Sequence, residues 1–217
     1  MKRPIVESLF IEGPEGRLQA SLETPPGAFS DAVAVVCHPH PLYHGTMDNK
    51  VVHTISRTVN RLGRPSVRFN FRGVGESESG YGEGIGETED VIAVAEWARQ
   101  HWPAAELWLA GFSFGAYVAL RASANLAPAC LVTVAPPVHR FPVADQSAPA
   151  CPWLVIQGED DELVDSGAVE AWTGRLQPRP EVRFMASTDH FFHGRLRLLG
   201  ETLASFLRSR APACEDA

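Results

Sequence analysis

The chain has 217 residues, of which 45% are hydrophobic and 21% charged, and its formal net charge is -7. This composition is ordinary for a globular protein and the length fits one domain, so we expect a single domain over residues 1–217. The acidic balance, without any cluster of Lys and Arg, argues against nucleic acid and anionic membranes as partners.

The predicted elements alternate between strands and helices along the whole chain. The predicted strands are residues 5–11, 17–23, 32–37, 66–71, 106–110, 129–134, 153–157 and 181–185. The predicted helices are residues 48–62, 88–100, 114–124, 166–176 and 194–208. This order predicts an α/β fold with an antiparallel N-terminal hairpin, a mostly parallel central sheet of about eight strands, and helices on both faces. Ligands of such sheets bind at the carboxyl ends of the strands.

A candidate nucleophile lies between a predicted strand and a predicted helix. Residues 111–115 read GFSFG, which fits the G-x-S-x-G pattern of a nucleophile elbow in the strand–turn–helix context that the elbow requires. The two glycines permit a turn in which other side chains would collide with the backbone. Ser113 would stand at the corner, and the N–H of Phe114 could stabilise an oxyanion. The alternative is a serine that only caps the following helix.

A serine nucleophile needs a base, and the base needs an acid that orients it. The loop after the predicted strand 153–157 contains the acids Glu159, Asp160, Asp161, Glu162 and Asp165. His190 follows the predicted strand 181–185, with His193 and His139 as alternatives. An acidic loop and a loop histidine are often only solvated side chains. The order Ser, acid, His, with each residue after a strand, favours catalysis over that explanation.

Five stretches of the chain share one resemblance: CHPHPLYHGTMDNKVV, FNFRGVGES, GFSFG, GEDDELV and DHFFHG. They resemble the α/β-hydrolase superfamily, and in particular the small bacterial serine hydrolases near the dienelactone-hydrolase branch. The resemblance extends over nearly the full length. In the family's acid loop the acid stands three residues after the glycine, which selects Asp161. In its histidine loop the histidine directly follows the aspartate, which selects His190.

The resemblance also implies a second oxyanion donor in the loop after Cys37. Pro39 and Pro41 have no N–H and are excluded. His40 aligns with the usual donor, two residues after the first loop histidine, and Leu42 is the alternate. The two prolines would stiffen this loop, as a preformed oxyanion hole requires.

Other readings of the same motifs are weaker. Cys37, His38, His40 and His44 do not have zinc-site spacing, so we expect no metal. The Gly-rich stretch GYGEGIGE lacks a strand directly before it, so we expect no dinucleotide cofactor. Arg72 could clamp a substrate carboxylate, but hydrogen bonds that tie its own loop are the favoured explanation.

The four cysteines, at positions 37, 130, 151 and 214, are far apart, which predicts free thiols and a cytoplasmic location. No apolar run approaches the length that spans a bilayer, and acidic residues interrupt the N-terminus where a signal peptide would be apolar.

The resemblance implies acyl transfer to water by Ser113, His190 and Asp161, without a cofactor. The interval 136–151, where superfamily members often insert a helical lid, is short and proline-rich, which predicts no lid domain and an open site. We therefore expect a serine esterase or thioesterase acting on small carboxylic esters or thioesters. A dienelactone-type lactone hydrolase is one alternative, although that branch typically uses cysteine at the elbow. A non-catalytic binding module with the same fold is the other.

Overall fold

The computed structural model describes residues 4–27 and 31–209. Its centre is a sheet of eight strands in the order β1-β2-β4-β3-β5-β6-β7-β8. The strands are β1 Ile5–Gly13, β2 Gly16–Thr24, β3 Ala32–Cys37, β4 Ser66–Phe69, β5 Glu106–Phe112, β6 Cys130–Val134, β7 Trp153–Gly158 and β8 Glu181–Met185. β2 pairs antiparallel with β1 and with β4, and all other pairs are parallel. The predicted α/β sheet with an antiparallel N-terminal hairpin is confirmed.

Helices cover both faces of this sheet and enclose two hydrophobic cores. They are α1 Lys50–Arg61, α2 Ile85–His101, α3 Phe114–Leu126, α4 Ser166–Thr173 and α5 Leu196–Arg208. The core under α1 and α5 contains Ala34 and Val36 of β3, whereas the core under α2 and α3 contains Val33 and Val35. Successive side chains of a strand point to opposite faces, so a continuous apolar run supplies both cores.

Several element ends differ from the sequence prediction. β4 ends at Phe69, two residues before the predicted end. The backbone N–H of Asn70 still donates to the carbonyl oxygen of Gln19 in β2 at 2.8 Å, and its side-chain Oδ1 accepts from Met47 N at 2.8 Å. α2 begins at Ile85, three residues before the predicted start, because the Glu87 carboxylate accepts hydrogen bonds from backbone amides just before the helix. α4 ends three residues early, at Thr173, and α5 begins two residues late, at Leu196.

The segment between β6 and β7 determines how open the top of the sheet is. Its only helical turn among the described residues is a 3₁₀ helix at Pro142–Asp145. The fold therefore has no lid domain at this position, as predicted. Within 4–27 and 31–209, no helix is both long and apolar enough to cross a membrane.

Candidate active site

Ser113 occupies a sharp corner between β5 and α3. Its backbone has φ 54° and ψ −119°, a conformation that non-glycine residues rarely adopt. A Cβ at Gly111 would lie 2.1 Å from the carbonyl oxygen of Gly115, and a Cβ at Gly115 would lie 2.5 Å from those of Cys37 and His38. Only glycine fits at either place, so the chain can turn tightly and pack the start of α3 against the end of β3.

The hydroxyl of Ser113 is directed at a histidine and not at its own helix. It makes no capping hydrogen bond to α3, which removes the helix-cap explanation. Its Oγ lies 3.1 Å from Nε2 of His190, and Nδ1 of His190 lies 2.8 Å from Oδ2 of Asp161. A carboxylate can only accept, so Nδ1 carries the proton and Nε2 is left to accept from the Ser113 hydroxyl. The structure thus brings together the three side chains that the sequence selected, in the geometry of a nucleophile, a base and an orienting acid.

The Asp161 carboxylate is buried and fully hydrogen-bonded. Oδ1 accepts from the backbone amides of Leu163 at 2.9 Å and Val164 at 2.7 Å, while Oδ2 accepts from His190. Burial on its own would raise the pKa of this carboxyl. The hydrogen bond and charge of His190, together with the two amides, outweigh burial and hold the pKa of Asp161 below its usual value. Asp161 is therefore ionised at neutral pH.

Gln157, the penultimate residue of β7, is a site residue that the sequence analysis did not identify. Its Nε2 donates to Asp161 Oδ2 at 2.9 Å and to the carbonyl oxygen of Val164 at 3.1 Å, and the side chain is completely buried. It therefore fixes the acid loop from beneath. A polar residue at the end of the apolar run WLVIQ was the one available signal.

The other acids and histidines considered from sequence have different roles. Asp165 caps α4 by accepting from Ala168 N at 2.7 Å. Glu162 accepts from the backbone amide of His190 at 3.2 Å, which holds the histidine loop against the acid loop. His193 is exposed and pairs with Asp189 at 2.7 Å. His139 is exposed on the segment after β6.

The two predicted oxyanion donors lie on elements that meet beside Ser113. In the described part of the chain, neither the N–H of His40 nor that of Phe114 donates to a protein atom. The N–H of Leu42, the alternate donor, is engaged because it donates to Nδ1 of the His40 ring at 3.2 Å. The loop closes tightly at Gly45, where a Cβ would lie 2.1 Å from the carbonyl oxygen of Pro39.

The neighbouring polar residues of this loop are used inside the protein. His38 is buried, donates from Nδ1 to the carbonyl oxygen of Pro39 at 2.6 Å, and accepts at Nε2 from Phe71 N. Burial lowers the pKa of His38 to about 3, so this ring is neutral. Among the described residues, no group of three or more His, Cys, Asp and Glu side chains could hold a metal ion. The Cys37 and Cys151 thiols are free, and Cys214 lies outside the described residues.

Arg72 is a structural residue of the fold. Its side chain is 4% exposed and pairs with the buried Asp90 of α2, with an Nη2–Oδ1 distance of 2.8 Å. It also contacts Glu15 at 3.1 Å and Glu89 at 3.3 Å. These bonds tie the loop after β4 to α2 and leave the guanidinium unavailable to a substrate.

A cavity of about 420 Å³ opens over Ser113 and His190. Its walls are mainly apolar and aromatic, and they include Tyr43, Phe114, Phe141, Leu163 and Phe191. Arg140 is the single permanently charged side chain among the described residues that line it. A second depression, of about 530 Å³, lies beside the starts of β7 and β8 and contains none of the predicted site residues.

Comparison with known proteins identifies the family of the chain. A family described as "Alpha/beta hydrolase domain" matches residues 42–216. A protein from Xanthomonas campestris, XC6422, described as a member of the a/b serine hydrolases without a lid, has 44% sequence identity and a TM-score of 0.92, with 98% of this chain and 97% of that chain covered. An alpha-beta serine hydrolase homologue from Coxiella burnetii has 43% identity and a TM-score of 0.90, with 93% and 97% covered.

A dienelactone hydrolase from Anabaena variabilis shares the fold, with a TM-score of 0.82 over 96% of this chain and 99% of that chain, at 15% identity. Three observations lead to one assignment. They are the family match over most of the chain, the two relatives above 40% identity and the eight-stranded sheet. The chain belongs to the alpha/beta-hydrolase family and is similar to its lidless serine hydrolases.

Proposed function

We propose that this protein is a serine hydrolase that cleaves small carboxylic esters or thioesters through an acyl-serine intermediate. The family and its relatives support a hydrolase. The observation that carries the more specific proposal is the hydrogen-bonded chain from Ser113 Oγ through His190 to Asp161. An uncharged serine is a poor nucleophile until such a base removes its proton.

In the proposed reaction Ser113 Oγ attacks the substrate carbonyl carbon while Nε2 of His190 takes the hydroxyl proton. Asp161 stabilises the imidazolium that forms. The N–H groups of Phe114 and His40 donate to the developing oxyanion. His190 then gives its proton to the leaving alcohol or thiol, and water hydrolyses the acyl-serine by the same steps.

The shape of the site supports small substrates. The segment between β6 and β7 forms no lid domain over the cavity. The cavity volume of about 420 Å³ lies at the small end of the range for ligand pockets. Its aromatic walls, contributed by Tyr43, Phe114, Phe141 and Phe191, favour a short apolar or aryl group on one side of the scissile bond.

The test is labelling with a fluorophosphonate probe, followed by peptide mapping of the adduct. We expect the wild type to be labelled at Ser113, Ser113→Ala to be unlabelled, and His190→Ala to be labelled far more slowly. Ser79 also has a positive φ, of 68°, but contacts Glu15 and no histidine, so it is an internal control that should stay unmodified. An unlabelled Ser113 in the wild type would instead support a non-catalytic binding module.

A further inference from the structure

The Gly-rich segment after β4 is fixed to the start of α2 and places the side chain of Tyr81 against the loop that carries His40. The Glu87 carboxylate accepts from the amides of Gly82 at 2.8 Å and Gly84 at 2.7 Å. These are charge-assisted bonds and hold the chain immediately after Tyr81. Gly84 has φ 86°, and a Cβ there would lie 2.7 Å from the Tyr117 ring, so the segment packs directly on α3.

Tyr81 contacts the ring of His40. Its hydroxyl lies 3.2 Å from Nε2 of His40, and the ring centroids are 5.1 Å apart. Nδ1 of the same ring accepts from Leu42 N, so it carries no proton. A neutral His40 therefore has its proton on Nε2, and this N–H donates a hydrogen bond to Tyr81 Oη. Burial, the largest influence on this ring, lowers the pKa of His40 and favours that neutral form.

The His40 ring in turn packs on the ring of Phe114, at a centroid distance of 4.8 Å. His40 and Phe114 are the two residues whose backbone amides are the oxyanion donors of the proposed reaction. Their elements, the loop after β3 and the start of α3, already approach closely at Gly115. The separation of the two donors therefore depends on this backbone contact and on how the His40 ring is held against Phe114.

We propose that Tyr81 is a positioning residue for the oxyanion hole. By accepting a hydrogen bond from Nε2–H, its hydroxyl keeps His40 in one tautomer and one orientation, in which Nδ1 accepts from Leu42 N and the ring packs against Phe114. The amides of His40 and Phe114 then stay at the spacing that a tetrahedral oxyanion requires, without reorganisation during the reaction. This role rests on the serine-hydrolase function proposed above.

The test compares Tyr81→Phe with Tyr117→Phe. Both variants lose one hydroxyl from the same aromatic cluster, but the Tyr117 hydroxyl contacts Arg121 at 3.3 Å and has no contact with His40. For each protein we would measure kcat and KM for p-nitrophenyl butyrate, the affinity for a phenylboronic acid that forms a tetrahedral adduct on serine, the fluorophosphonate labelling of Ser113, and the melting temperature.

We expect kcat of Tyr81→Phe to fall roughly tenfold, less than the ~10²–10³ that follows loss of a whole oxyanion donor, because the amide is misplaced but not removed. The boronate affinity should fall by a similar factor, whereas KM stays within about twofold, since the interaction lost is made only with the tetrahedral state. Tyr117→Phe should match the wild type in kcat and boronate affinity.

An unchanged kcat in Tyr81→Phe would overturn the proposal, and so would a rise in KM at constant kcat, which would make Tyr81 a substrate contact. Equal losses in the two variants would also overturn it, because they would reflect packing of the cluster.

Labelling of Ser113 separates the positioning role of Tyr81 from the proposed serine-hydrolase function. A labelled wild type with normal kinetics in Tyr81→Phe refutes only the positioning role, whereas an unlabelled wild type refutes both.

Discussion

The close approach of α3 to the loop after β3 makes Gly115→Ala a sharp test of the site's geometry. The added Cβ would stand 2.5 Å from the carbonyl oxygens of Cys37 and His38, whereas ordinary contacts begin at 3.4 Å. The obstructing atoms are backbone, so the start of α3 and the loop that carries His40 have to separate by about 0.9 Å. The two oxyanion donors lie on the two sides of this contact.

A misplacement of about 1 Å costs on the order of 10²-fold in rate when it affects catalytic groups. We therefore expect kcat of Gly115→Ala for p-nitrophenyl butyrate to fall about 10²-fold. Overpacking of this kind also destabilises by about 1–3 kcal/mol, which for a chain of this size lowers the melting temperature by roughly 2–12 °C. Steady-state kinetics, at a temperature where the variant is folded, measure the effect on kcat. Thermal unfolding measures the effect on the melting temperature.

Gly80→Ala is the matched control, because a Cβ at Gly80 meets no atom within 4 Å and its φ is not in the left-handed region. It should retain wild-type kcat and melting temperature. Wild-type kcat in Gly115→Ala would refute the reasoning, since the donors would then tolerate the separation. A comparable loss of activity in Gly80→Ala would refute it as well.

Three further predictions concern charged groups. Asp161→Asn should lower kcat by roughly 10⁴, because His190 loses the partner that fixes its tautomer. The depressed pKa of Asp161 stabilises the folded wild type, and this stabilisation should be lost as the pH falls below about 4. In melting curves from pH 6 to 3, the melting temperature should therefore fall more for the wild type than for Asp161→Asn. Arg72→Met leaves the buried Asp90 carboxylate without its ionic partner and should cost about 3–5 kcal/mol in urea unfolding. Arg72→Met with Asp90→Leu should recover part of that loss, because the backbone N–H of residue 72 then has no acceptor. Arg140→Gln should reduce kcat/KM up to about fivefold for hemisuccinate esters, since exposed ion pairs contribute about 0.2–1 kcal/mol, and should leave neutral esters unaffected. Equal effects on both substrates would contradict an electrostatic contact.

The sequence predicted the centres of the elements well because each centre is determined by its own residues. The run at residues 32–37 is apolar throughout, which requires burial on both faces wherever it lies in the sheet. Element ends depend on individual side-chain contacts that periodicity does not show. α2 starts at Ile85 because the Glu87 carboxylate accepts from the amides just before the helix.

The same distinction applies to the site. Ser113 was accessible from sequence because a local motif marks it. Chain order restricted the acid and the histidine to a few candidates, and the family resemblance then selected Asp161 and His190. Gln157 was missed although its partner Asp161 is near in sequence, because one polar residue near the end of an apolar strand does not show which side chain it contacts. Tyr81 was missed because its partner His40 comes from another loop and because its own glycine-rich segment has no periodicity.

The backbone of Ser113 shows how the position of the nucleophile conflicts with thermal stability. A serine at φ 54° and ψ −119° is strained, and such conformations cost of the order of 1–3 kcal/mol. Glycine adopts them without a Cβ clash, so Ser113→Gly should melt above Ser113→Ala in a direct comparison while lacking any nucleophile. Selection for heat resistance alone would therefore favour losing this serine, and its retention across generations would require continued demand for the chemistry it performs.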